Sequence, residues 1–432
     1  MNRQILRLAI PNIVSNITIP LLGLVDTAIM GHLSSPVYLG AIALGSMAFN
    51  FIFWGFAFLR MGTTGMTAQA YGANDEHQQL LILARGVLLA GMLAVLLIIF
   101  SGPLAWLGLH FVNGNPDTID LATQYFHIRI IAAPAVLIQL VLIGWFLGMQ
   151  NAFWPMLVAI VANVLNMVFD LLFVFGLGMT SAGVAWGTVL AQYAALVMGI
   201  WIAYRQYSCL FRKIDFKTLL NWPQLKVYFE VNINLFIRTM LLLFAFYFFT
   251  IQSAGYGDVI LAANSVLLQL ISLVSYGIDG FAFAVESLVG KYKGASDTKM
   301  LKKSIRYIFT WGMGLALLYS LFYWLAGKGI VRILSNQESV REMAYRYIWW
   351  VIPAPIINSL SYLWDGIYIG ATASKSMRNV MLLSVMLIYL PLFYYTQAEW
   401  QVPGLWFSFT AFMFSRGLLM GLFARKAVLH SL

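Results

Sequence analysis

Apolar stretches of about 20 residues, the length that crosses a bilayer as a helix, recur from one end of this sequence to the other with only short polar breaks. Lipid offers the backbone no hydrogen bonds, so a spanning chain must satisfy its own as helices or as a closed barrel. The ten-residue alternating segments of a barrel are absent, which leaves an all-α polytopic membrane protein. Twelve transmembrane helices are expected, at 8–31, 38–68, 79–108, 122–148, 153–176, 182–204, 229–255, 259–288, 304–326, 343–370, 378–396 and 401–424. Composition agrees: 61% of residues are hydrophobic and 10% charged, too little polar surface for a soluble chain of 432 residues. The start has the basic flank of a signal peptide, but no small-residue cleavage site follows and the apolar run is too long, so it reads as the first span. Cys209 is the single cysteine, which excludes an intrachain disulfide and a thiolate metal site.

The net charge of +10 invites a polyanionic partner, but the placement of the cations explains it otherwise. With the N-terminus cytoplasmic, 18 of the 26 Lys and Arg fall in cytoplasmic segments, and only Lys328, Arg332, Arg341 and Arg346 fall on the opposite side. That is the positive-inside asymmetry, which puts both termini in the cytoplasm and requires no nucleic acid.

The sequence also repeats itself. AQAYGANDEHQ from Ala68 and GKYKGASDTKM from Gly290 each follow an apolar span, with Gly72 and Gly294, and Asp75 and Asp297, both 222 residues apart. The same offset pairs Gly144 with Gly366 and Gly148 with Gly370, and with one residue of slippage AGVAW at Ala182 meets PGLW at Pro403. Six helices per half is an even number, so the halves run the same way through the membrane as pseudo-symmetric six-helix bundles around a central cleft. The expected organisation is an N-terminal lobe at 1–204, a cytoplasmic linker at 205–228 and a C-terminal lobe at 229–432.

Ionisable groups inside spans mark function by default. Asp26 and Asp170 each lie about six residues, roughly 9 Å, from the outer end of their helices. Thr188 enters its own span to a similar depth. Asn163, Asn166 and Asp170 fall at i, i+3, i+7 and share one face, as do Thr188 and Gln192. Two carboxylates with an amide and a hydroxyl form an oxygen-rich pocket suited to a proton or a small hard cation such as Na+. Pro20, six residues before Asp26, is placed to bend the first helix. The plainer role is interhelical glue, against which the repeat argues: Phe248 stands opposite Asp26, and Leu392 opposite Asp170. The second half carries Arg238, Asp279, Glu286 and Asp365 in the cytoplasmic part of its spans, most simply an ion-pair or gating cluster. Arg60, Arg129 and Arg416 are further intramembrane cations with no assignable partner. There is no GxxxxGK[ST] loop, the histidines lack metal spacing, and no catalytic constellation stands out, so neither ATP use nor an enzyme is expected.

VDTAIMGHL around Asp26, the Asn166–Asp170 spacing and the paired AQAYGA and GKYKGA helix ends resemble the multidrug and toxic compound extrusion (MATE) family. IRTMLLLFAF, SYGIDGFAFAVESLVGKYKGASD and YLWDGIYIGATASKSMRN resemble in particular its DNA-damage-inducible protein F (DinF) branch. The resemblance covers essentially the whole chain. It implies cation-coupled efflux of organic, often cationic compounds across the bacterial cytoplasmic (inner) membrane, driven by H+ or Na+ and without a cofactor. By resemblance, a cation-coupling role carries over to Asp26, Asn166, Asp170 and Thr188, whereas the C-terminal-lobe acids of other branches are not evident at matching positions. Small organic substrates and membrane lipid are the expected partners of a monomer. The competing expectation is a flippase for a lipid-linked precursor.

Overall fold

The computed structural model describes residues 1–31, 36–109, 115–211 and 218–429, with the side chains of 19–31 and 36 outside the description. The described chain is all-α, with no strand among those residues. The expected spans meet helices in order. They are α1 (Asn2–Gly31), then α2 (Pro36–Trp54) joined by a tight turn to α3 (Phe58–Gly72), then α4 (Glu76–Ile99) with α5 (Ser101–Leu109). Next come α6 (Pro116–Ile130) with α7 (Ala133–Gly148), α8 (Phe153–Leu171), α9 (Ser181–Gln206) and the short α10 (Ser208–Phe211). The second half comprises α11 (Trp222–Gly255), α12 (Asp258–Gly294), α13 (Thr298–Leu334), α14 (Glu338–Val351) with α15 (Ala354–Gly370), α16 (Ser374–Leu383) with α17 (Leu390–Trp400), and α18 (Val402–Ala424).

Among the described residues nine helical stretches are long and apolar enough to cross a membrane, and a tenth is the pair α6 and α7. That pair is bent by 52°, so the span expected at 122–148 is a broken one. The break follows from Pro134 in the first turn of α7, where a missing N–H is tolerated. Pro355 stands likewise at the start of α15.

The 222-residue repeat is a repeat of backbone geometry. Asn74 and Ser296 have φ of 56° and 55°, and Gln150 and Thr372 have φ of 61° and 52°. These four left-handed residues terminate helices at equivalent places. Asp75 and Asp297 then cap the next helix alike: the N–H of Gln78 donates to Asp75 Oδ1 at 2.9 Å and that of Met300 to Asp297 Oδ1 at 3.0 Å. Packing repeats too. A side chain at Gly144 would strike the Arg60 carbonyl and Thr63, and one at Gly366 would strike the Ala282 carbonyl and Val285. Gly148 meets Thr67 and the Ala68 nitrogen, and Gly370 meets Glu286 and the Gly290 nitrogen. Small residues thus let α7 approach α3, and α15 approach α12, backbone to backbone.

The chain divides into two compact units, Val14–Tyr228 on one hand and Met1–Ile13 with Phe229–Leu432 on the other. Both divisions fall inside continuous helices, α1 and α11, rather than in loops. In the second-named unit the start of α1 buries Ile5, Leu8 and Ala9, and Tyr292 donates to Gln4 Oε1 at 3.1 Å. In the first-named unit Tyr228 packs with Ala70 and Ile82. There Arg85 also donates to the carbonyls of Leu219 (3.1 Å) and Thr218 (3.0 Å) and to Gln224 Oε1 (2.7 Å).

Candidate functional site

Within the unit Val14–Tyr228, polar side chains join four helices in a ladder. Asn163 of α8 donates to Thr18 Oγ1 of α1 at 2.8 Å, and Thr18 donates to the Ser15 carbonyl at 2.7 Å. One turn along, Asn166 donates to Thr188 Oγ1 of α9 at 3.1 Å, and that hydroxyl donates to the Val184 carbonyl at 3.0 Å. Farther along α9, Gln139 of α7 donates to the carbonyl and the Oε1 of Gln192 at 2.6 and 3.1 Å.

Asp170 sits a turn beyond Asn166 and is wholly buried, at 0% exposure. Its place is made by a glycine: a Cβ at Gly187 would stand 3.2 Å from the Asp170 nitrogen and 3.3 Å from its Cγ, with a carboxylate oxygen nearer still. Gly187 neighbours Thr188, so one turn of α9 receives both Asn166 and Asp170. Immediately afterwards the helix widens to a π-helical turn at Leu172–Gly176, a local irregularity frequent at functional sites. The structure therefore brings Asn166, Asp170 and Thr188 together, and the Oδ1 of Asn166 has no hydrogen-bond partner among the described residues. Asp26 and Pro20 belong to α1, and their side chains lie outside the described residues, as do His32, His110, His430 and the linker cations Arg212, Lys213 and Lys217.

The equivalent place in the second half is filled by rings. Phe248, the counterpart of Asp26, stacks edge-on against Phe393 at 5.0 Å and Tyr389 at 5.4 Å, and Phe393 neighbours Leu392, the counterpart of Asp170. No oxygen-rich pocket is built there among these residues.

The acids of the second half form a separate arrangement. Arg238 of α11 is ion-paired to Asp365 Oδ2 of α15, and Arg416 of α18 reaches the same oxygen at 2.8 Å. All three are buried. Tyr362, one turn before Asp365, lies within electrostatic reach of both arginines, Asp365 and Asp279. Glu286 is buried two turns beyond Asp279 on α12, at the level of Gly370 rather than of Asp365. Arg416, for which the sequence offered no partner, is thus the second cation on Asp365. Its partner lies 51 residues away on another helix, and hydropathy gives depth in a membrane but not the face of the helix. Arg129 faces the Phe49 ring at 4.3 Å, a cation–π contact. Arg60 is buried on α3.

Comparison with known proteins places these features in a family. The MatE family model matches residues 11–172 and 235–395, two segments whose starts differ by 224 (235 − 11) and whose ends differ by 223 (395 − 172). The chain is 38% identical over 427 residues to the DNA damage-inducible protein F of Escherichia coli (strain K12), covering 98% of this chain and 92% of that protein. A crystal structure of a MATE protein in the bent conformation superposes with a TM-score of 0.88 at 18% identity, covering 99% of this chain and 96% of that one. An outward-facing multidrug resistance MATE family transporter of the MOP superfamily superposes with a TM-score of 0.86 at 20% identity, with the same coverage. At these identities the structures show a shared fold.

Proposed function

Since the chain belongs to the MatE family, a family of transporters and not of enzymes, we propose that it exports lipophilic, often cationic organic compounds in exchange for H+ or Na+ by alternating access. The observation that carries this reading is Asp170: a fully buried carboxylate seated on Gly187, one turn from an amide bonded to a hydroxyl. Burying an ionisable group in a span is costly, and such groups persist where they carry ions. Asp26, Asn166, Asp170 and Thr188 are the coupling residues in this reading. A cation arriving there from outside neutralises the carboxylates and favours bending of α1 about Pro20. For that to drive export, the cation and the organic compound must each weaken the binding of the other.

Its complement is a second half that holds its buried charge in fixed pairs, Arg238 and Arg416 on Asp365, and gives structure or gating. The lobe 1–204, less its first 13 residues, and the lobe 229–432, to whose unit those residues belong, act as the two bodies of the cycle, joined by the linker 205–228 in the cytoplasm of a bacterial cell.

Reconstitution into proteoliposomes tests this. A proton gradient acid inside the vesicles should drive dye uptake, and a Na+ gradient at constant pH, imposed separately, identifies the ion. Asp170→Asn should abolish gradient-driven uptake while leaving the protein monodisperse and helical. Undiminished uptake in that variant refutes the role of Asp170.

A further inference from the structure

The exposed stripe of α13 changes character in the order in which a phospholipid does. Lys299, Lys303, Arg306, Thr310, Leu317 and Leu321 recur at helical spacing and share one face, with Gly314 between the fourth and fifth. The stripe begins with three exposed cations, and Lys302 flanks them. Aromatic and hydroxyl groups follow, and then aliphatic side chains, Leu317 and Leu321 being 57% and 51% exposed. At Gly314 nothing lies within 4 Å of where a Cβ would be, so the face is grooved there. From Arg306 to Leu321 is 15 residues, about 22 Å, the reach of a headgroup and its acyl chain.

Where the cations give way to aromatics the surface is hollowed. Asn2 of α1 and Arg306, Tyr307, Thr310 and Trp311 of α13 line a cavity of about 420 Å³. Trp311 is held in place, its ring parallel to Phe281 at 6.4 Å and its N–H donated to Asn2 Oδ1 at 3.2 Å. α13 contains neither Asp nor Glu, and the acid nearest to it in sequence, Asp297, has an oxygen engaged in capping the helix. Among the described residues none of the four cations is ion-paired, and Lys303 rests over the Tyr307 ring at 5.8 Å.

We propose that this face binds an anionic phospholipid of the bilayer, its phosphate at Arg306 and Lys303, its glycerol region at Thr310 and Trp311, and an acyl chain over Gly314. Charge complementarity selects the headgroup, and the aliphatic continuation selects a lipid over a free phosphate. The proposal stands apart from the coupling site and concerns which membrane components the transporter retains.

Native mass spectrometry of the full-length protein in detergent, titrated with phosphatidylglycerol, phosphatidylcholine and glycerol 3-phosphate, tests it. Phosphatidylglycerol should bind at least tenfold more tightly than phosphatidylcholine, and glycerol 3-phosphate should bind negligibly. At about fivefold per interfacial cation, the variant Lys299→Gln, Lys303→Gln, Arg306→Gln should lose on the order of 100-fold. Gly314→Leu fills the groove without changing charge and should also weaken binding. A control removing three cations elsewhere, Lys328→Gln, Arg332→Gln, Arg346→Gln, should stay within about twofold of the parent. Equal binding of the two lipids, equal loss in the control, or glycerol 3-phosphate binding as tightly as the lipid each overturns the proposal.

Discussion

Gly187→Ala should injure the proposed coupling site while removing none of its polar groups. The added methyl would stand 3.2 Å from the Asp170 nitrogen and closer to a carboxylate oxygen. The carboxylate can swing aside but the backbone nitrogen cannot, so α8 and α9 must separate by a few tenths of an ångström. Overpacking of this kind costs about 1–3 kcal/mol. Alanine gains back about 1 kcal/mol over glycine in a helix. The net effect is a destabilisation of about 0–2 kcal/mol. Gly91→Ala is the matched control, because nothing lies within 4 Å of its Cβ position and only the helical gain remains. In thermal unfolding of the purified protein, Gly187→Ala should therefore melt at or below the parent, and Gly91→Ala above it. If the distortion falls on the cation-bound geometry, about 1–3 kcal/mol corresponds to roughly 5–150-fold in apparent cation affinity. Titration of the driving-ion gradient in proteoliposomes should show that shift for Gly187→Ala alone. Indistinguishable behaviour of the two variants in both assays would refute the claim that Gly187 seats Asp170.

Two further outcomes concern the second half. Asp365→Asn should destabilise by about 3–5 kcal/mol because it leaves two buried guanidiniums facing each other. Arg416→Met should cost less, since Arg238 still neutralises the carboxylate. Thermal unfolding of both orders the effects, and the reverse order contradicts the shared-oxygen geometry. Thr372, a β-branched residue at φ 52°, pays strain that glycine does not, so Thr372→Gly should stabilise by about 1 kcal/mol. Thr372→Val should give no such gain in the same measurement.

What the sequence reveals of this molecule follows from what is periodic in it. Hydrophobicity at the length of a bilayer marks the spans, and the 222-residue spacing of glycines marks the repeat; that these glycines seat α7 on α3 and α15 on α12 comes from the structure, because a backbone contact tolerates no side chain. Asn166 and Asp170 are readable as one face by helical spacing alone. The seat of Asp170 on Gly187 is not, for Gly187 belongs to another helix and its place depends on the angle at which α9 is turned. The same ignorance of azimuth hides the pairing of Arg416 with Asp365. The break between α6 and α7 escapes a hydropathy window because both sides of it are apolar, although Pro134 marks the place.

The division of the chain within α1 and α11 bears on where such a molecule can be cut. Were it supplied as two pieces cut between Phe211 and Thr218, neither piece would contain a whole compact unit. The first would carry Ile5, Leu8 and Ala9, which are buried in the unit of the second; the second would carry Gln224 and Tyr228, which belong to the unit of the first. Each half thus owns the opening turns of the other's bundle, the arrangement of a domain-swapped pair. A cut in the linker would therefore part each unit from residues it packs around, so neither piece is expected to fold alone.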